Sequence, residues 1–227
     1  AIKYGFELES DARANGLDFV IHHALLGRAA AYIGLRRLSA AVRLLHNVES
    51  SGTELPTYIQ PQTILKRACV RVACGDLQTA AILLSAPPPP DVPATASGEW
   101  FGAKAIILAA QGNVSEARHA IDEAKAASAG IDATHFGVLA DAILGLSKDA
   151  HAASSDALRA TQRILKLGNR ASIVFAARAF PPLARSVVSG SGRRAPELSR
   201  LLPYSRASDL DLWPCLRFPR ELGRSVH

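Results

Sequence analysis

The hydrophobic rhythm of the chain changes once between Gly98 and Ala127. Phe101, Ala105, Ile106 and Leu108 lie on overlapping faces, so the first half of this stretch is apolar almost all round. From Val114 onward the apolar positions Val114, Ala117, Ile121 and Ala124 fall on one stripe at three- and four-residue steps. The pattern predicts a buried helix followed by a one-sided helix. Gly112 between them supplies the left-handed conformation that closes a helix. Asn113 is expected to cap the second helix, with Glu116 bonding back to it. A single hairpin cannot cover the first helix on all sides, so neighbouring hairpins are expected.

The sequence supplies them. Ala41, Ala80, Ala117 and Ala153 recur at steps of 39, 37 and 36 residues. Four residues after each comes Leu45, Leu84, Ile121 and Ala157, and nine before each comes Tyr32, Arg71, Leu108 and Leu144. Small residues stand twelve before the first three, at Ala29, Ala68 and Ala105. This arrangement resembles a degenerate tetratricopeptide repeat (TPR): small residues where two helices cross, larger apolar ones around them, and a tight turn between. Arg71, Asp141 and Lys148 depart from the pattern, at positions usually large and apolar, small, and glycine respectively. The resemblance implies an all-α fold, a right-handed α-α superhelix of about ten helices.

Taken in order, Ala1 to Asn15 reads as the second helix of a hairpin whose first half lies outside the chain, ended by Gly16. Hairpins are then expected near 18–50, 57–85, 97–128, 133–167 and 170–202, making 1–202 one array. Asp18, Ser97, Asp132 and Asp149 are the expected caps, and Gly75-Asp76 and Gly168-Asn169 the turns or stops. Pro87 to Pro90, with Pro93, makes a stiff connection that lengthens one period. Pro181-Pro182 must kink or split the apolar run from Ala171 to Val188, and Ser189 to Gly192 reads as a flexible break. Residues 203–227 read as a tail or linker, with Leu210, Leu212, Trp213 and Leu216 able to fold back over the last helices. The chain has no Met, which points to an excerpt of a longer polypeptide.

Charge adds little to this picture. Of the net +6, the segment from Arg178 onward carries +5, so the repeat body is close to neutral and shows no uniform basic face for phosphate. No membrane span and no signal peptide is expected. Cys69, Cys74 and Cys215 form no Cys-x-x-Cys pair and suit a reducing cytoplasm. No phosphate-cradling loop, nucleophile elbow or His-Glu-x-x-His helix is present, so neither catalysis nor a cofactor is expected. His22 and His23 diverge by about 100° on a helix and cannot grip one metal together.

In TPR-like arrays the first helices line the concave surface. Here that row offers His22, His23, Arg28, Lys66, Arg67, Arg71, Trp100, Lys104 and His135. Basic groups beside Trp100 suit an acidic or sugar-like ligand. The other reading is that these long side chains snorkel from packed helices. The half-hairpin, the hairpins, the segment Ala160 to Arg170 and the helix holding Pro181-Pro182-Leu183 follow in an order similar to the helical-repeat region of MalT-related, LuxR-family bacterial transcriptional regulators. That resemblance implies a non-catalytic scaffold that senses a small effector or contacts a protein partner in its groove. It reaches DNA only through a helix-turn-helix domain downstream and absent here. The alternative is a free-standing TPR adaptor for a peptide or partner protein. The version that clamps chaperone C-termini is disfavoured, because Leu26 and Ala30 occupy two positions where it needs Lys and Asn.

Overall fold

The glycines expected to stop helices do adopt positive φ: +66° at Gly16, +78° at Gly75, and +82° at both Gly112 and Gly168. A side chain at such a position is strained, which is why the turns fall there. The turn before Leu38 uses Arg36 instead, at φ +62°. A computed structural model describes residues 2–50, 56–57 and 59–191.

The described residues form eleven α-helices and no strand. They are α1 (Ile2–Ala14), α2 (Asp18–Gly34), α3 (Leu38–Glu49), α4 (Ile59–Ala73), α5 (Leu77–Leu83), α6 (Ala94–Ala110), α7 (Val114–Ala127), α8 (Ile131–Lys148), α9 (Ser154–Lys166), α10 (Arg170–Ala179) and α11 (Pro181–Ser191). The pairs α2–α3, α4–α5, α6–α7 and α8–α9 are hairpins, and the first helices α2, α4, α6 and α8 each pack on the next. Side-chain volume explains the spacing. Ala29, Ala68 and Ala105 on the first helices, and Ala41, Ala80 and Ala117 on the second, are all fully buried where the backbones approach. The larger Leu45, Leu84 and Ile121, one turn later, fill the space beside them.

The α6–α7 hairpin is the densest part. Nine of the residues of α6 are buried, as its all-round apolar pattern requires. It also makes a close helix approach. A Cβ on Gly98 would sit 2.8 Å from the Cβ of Ser128 and 2.9 Å from that of Ala133, and one on Gly102 would sit 2.6 Å from the Cβ of Phe136. These two glycines let α8 lie directly on α6.

Several local expectations are corrected. In the fourth hairpin the buried alanine is Ala157, a step of 40 residues from Ala117, and Ala153 is only half-buried. The extra length is the turn at Asp149, whose carboxylate accepts from the amides of His151 and Ala152 before α9 starts. Those two hydrogen bonds hold the Asp149 carboxyl below its ordinary pKa. Thr161 then takes the place of Leu45 and Ile121, buried with its hydroxyl donating to the Ala157 carbonyl. In α8, Ala140 is the buried small residue and Asp141 is exposed. Asn113 stands at the N-cap of α7 without a side-chain hydrogen bond, so the capping box with Glu116 is not formed. Leu17, Pro93, Gly130 and Ala153 occupy the N-caps given above to Asp18, Ser97, Asp132 and Asp149. The break at Ser189 is not seen, since α11 continues to Ser191. The helix expected at 195–202 and the tail at 203–227 lie outside the described residues.

The largest departure is at the end of the array. Pro181-Pro182 splits the apolar run as expected, but α10 does not continue the stack as a regular first helix. It reaches back across the row of first helices to touch α8, α6 and α4. Arg178 near its end donates to the carbonyls of Ile33 (2.9 Å) and Gly34 (3.2 Å) in the last turn of α2. A cation there suits the negative end of the α2 dipole. Meanwhile α11 packs on α9, with Ser154 and Ser186 hydroxyls 2.7 Å apart. Eight of the residues of α10, Ser172 to Ala179, are buried. The face that the repeats present on one side is therefore covered by the chain itself.

Candidate functional site

Where α10 lies against the row of first helices it does not fill the space completely. A cavity of about 390 Å³ remains between α2, α4, α6, α8 and α10. Its apolar wall is Ala30 and Ile33 of α2, Phe136 of α8, and Val174 and Phe175 of α10. The two phenylalanines meet edge to face, with centroids 5.7 Å apart. Its polar groups are Lys66 and Cys69 of α4, Glu99 of α6, Asp132 of α8, Asn169 at the α10 N-cap, and Ser172 and Arg178 of α10, with Arg170 at the rim.

Each polar group is set by a specific contact. Lys66 Nζ donates to Glu99 Oε1 at 3.0 Å, joining α4 to α6. Burial, the largest single influence, works against the Lys66 charge, but Glu99, Cys69 and Asp132 together outweigh it and hold the pKa above the ordinary lysine value. Cys69, one turn further along α4, is pushed up to about 11 by burial and is a neutral thiol at physiological pH. Asn169 ties α8 to α10. Its amide donates to Asp132 Oδ1 at 2.6 Å and to His135 Nδ1 at 3.1 Å, while its carbonyl oxygen accepts from the Ser172 amide. Burial, with Arg163 adding to it, outweighs Asp132 and lowers the His135 pKa. Burial also lowers Arg178, to about 10, and the nearby charge of Arg36 acts in the same direction.

Of the nine residues singled out in the sequence, Lys66 lines this cavity, and the other eight do not. Arg28 is buried, paired with Glu9 of α1 and stacked 3.5 Å over the Phe6 ring. Arg67 pairs with Glu49 of α3, and Arg71 with Asp76, which caps α5 by accepting from the Thr79 amide at 3.0 Å. His22 is buried in α2, and His23 stacks edge-on against Phe19 with centroids 4.6 Å apart. Trp100 is buried in α6 with no hydrogen-bond partner for its Nε1. Lys104 lines a separate cleft of about 670 Å³ between α5, α6 and the start of α7, with Gln78, Gln111 and Glu116. His135 alone adjoins the cavity, through Asn169. The row is therefore largely a set of inter-helix ties.

The residues that do form the cavity were mostly passed over. Lys66 was read from its position on a first helix; Phe136, Asn169, Phe175 and Arg178 were not. One signal was available: five successive apolar residues, Ile173 to Ala177, demand cover on every side of their helix.

Among the described residues, no group of three or more His, Cys, Asp or Glu could hold a metal ion, and no helix is long and apolar enough to cross a membrane. Comparison with family models, with curated proteins and with solved structures finds no match.

Proposed function

We propose that this chain is a non-catalytic sensing scaffold, the helical-repeat part of a MalT-related, LuxR-family transcriptional regulator that works in the cytoplasm. The observation that carries the reading is α10 lying across α4, α6 and α8, with Arg178 bonded to α2, around a cavity of ligand size. A small effector held there touches four hairpins and α10 at once. Its binding energy then favours one position of α10 over others, which is what a sensor needs to pass an event to attached domains. The alternative adaptor reading is weaker, because α10 occupies the face on which a captured peptide would lie.

Thermal unfolding against a panel of sugars, nucleotides, organic acids and acidic peptides tests the proposal. At a concentration a hundred times its Kd, an effector adds about 2.7 kcal/mol of stability, an increase of several degrees in Tm. Stabilisation by a small molecule supports the sensor. Stabilisation by peptides alone supports the adaptor. No stabilisation by any member of the panel contradicts both.

A further inference from the structure

The polar groups around the cavity under α10 are engaged by the protein itself. Lys66 and Glu99 form a direct ion pair. The Arg178 guanidinium is held by the carbonyls of Ile33 and Gly34, at the negative end of α2. Asp132 and Arg170 stand at the exposed rim, where water screens them. The Asn169 side chain is used on both sides: its amide donates to Asp132 and His135, and its oxygen accepts from the Ser172 amide. The Ser172 hydroxyl donates to the Asn169 backbone carbonyl. The Cys69 thiol is uncharged and packs as a small apolar group. A charged ligand would lose its hydration here and meet groups that already have partners. The interior left for a ligand is apolar, formed by Ile33, Phe136, Val174 and Phe175.

We propose that the cavity closed by α10 binds an uncharged aromatic molecule of one or two rings. The inference rests on the sensor reading and gives the chemical class of its effector. Size sets the number of rings. An apolar cavity of about 150 Å³ takes one benzene ring, and this one has about 390 Å³. Shape sets the preference for a ring over a chain. Phe136 and Phe175 already meet edge to face, 5.7 Å between centroids, and a third ring extends that packing. A single neutral polar substituent points to the rim, where water reaches it. Phe136 belongs to α8 and Phe175 to α10, so a ring packed on both ties α10 to the array.

The test is calorimetry on the full chain with two matched sets: 2-phenylethanol, phenylacetate and phenethylamine, then tryptophol, indole-3-acetate and tryptamine. Within each set the ring is constant and the charge is zero, negative or positive. At least one alcohol is expected to bind about ten-fold or more tightly than both its charged counterparts, with an affinity that added salt leaves unchanged. Ala30→Leu, which fills the cavity from α2, is expected to weaken that alcohol about ten-fold while melting at or above the wild-type temperature. Val174→Phe, which fills it from α10, is expected to weaken it equally. Charged compounds binding as tightly as the alcohols overturn the uncharged class. Alcohol binding that survives both substitutions places the ligand elsewhere and overturns the site. The six compounds also join the thermal-unfolding panel. Silence from them with a response to another small molecule overturns the aromatic assignment and leaves the sensor standing, whereas silence from every member overturns both.

Discussion

The two halves of the array hold their helices together by different means. From α1 to α4 the contacts between hairpins are stitched by long charged side chains. Arg28 joins Glu9, Arg67 joins Glu49, and Lys66 carries the stitching on to Glu99 of α6. From α6 to α10 the joints are apolar and close: Gly98 and Gly102 against Ala133 and Phe136, then Phe136 against Phe175. Even the first half needs a glycine to seat its arginine, since a Cβ on Gly5 would come 2.4 Å from Arg28 Cγ. The difference teaches why the basic row on the first helices does not make an open ligand surface. Those groups are occupied in pairing neighbouring hairpins, beside an apolar joint in which Leu25, Leu26, Ala29 and Ile33 of α2 share one buried cluster with Ile59, Val70 and Ala73 of α4. In the second half no such charged ties are needed between α6 and α8, and α10 closes over the row and leaves a cavity.

The sharpest break in this comparison is expected in the apolar half. Gly102→Val puts three carbons where Phe136 leaves no room, and should cost about 3 kcal/mol, lowering Tm by roughly 6–12 °C. Ala117→Arg, at a fully buried crossing, should cost at least as much. Retained wild-type melting in either variant would show that the helices do not meet there. The stitched half should respond unevenly. Glu9→Gln strands the buried Arg28 guanidinium and is expected to cost about 2 kcal/mol in chemical denaturation. Glu49 differs: burial outweighs Arg67 and holds its carboxyl pKa above the ordinary value. Its ionisation therefore opposes folding as pH rises through that pKa, so Glu49→Gln should fall within about 0.5 kcal/mol of wild type at pH 7. A large loss there would mean the Arg67 pair is a net stabiliser.

Smaller effects sharpen the picture at the turns and at the cap of α10. Gly112→Ala puts a side chain at φ +82°, and is expected to cost about 1 kcal/mol in equilibrium unfolding. His135 supplies the pH dependence. Its folded pKa is lowered, so the native state binds its proton less readily than the unfolded chain. The stability it contributes is complete above the unfolded value near 6.5 and is lost as pH falls below it. Protonating Nδ1 also removes the acceptor that Asn169 uses. His135→Gln should flatten the fall in Tm between pH 7 and pH 5, and an unchanged slope would assign that dependence to other groups.

The hairpins were legible because glycine and alanine report local geometry. Gly75, Gly112 and Gly168 mark the turns, and Ala41, Ala80 and Ala117 mark the crossings. The fourth hairpin slipped because the turn at Asp149 adds residues while Ala153 and Ala157 look alike four positions apart. The site was not legible for a different reason. Glu9 to Arg28, Glu49 to Arg67 and Lys66 to Glu99 are contacts between hairpins, which periodicity within a helix does not encode. Nor does it encode where α10 goes once Pro181-Pro182 cuts it from α11. Its unbroken apolar run showed only that it had to be covered.

Hydrogen exchange of the backbone amides of α10 tests that placement most directly. The account predicts that Ile173 to Ala177 exchange as slowly as the centre of α6, far more slowly than the outward-facing α1, and that Arg178→Ala speeds them selectively. Exchange of α10 at the rate of α1, with α6 still protected, would contradict it.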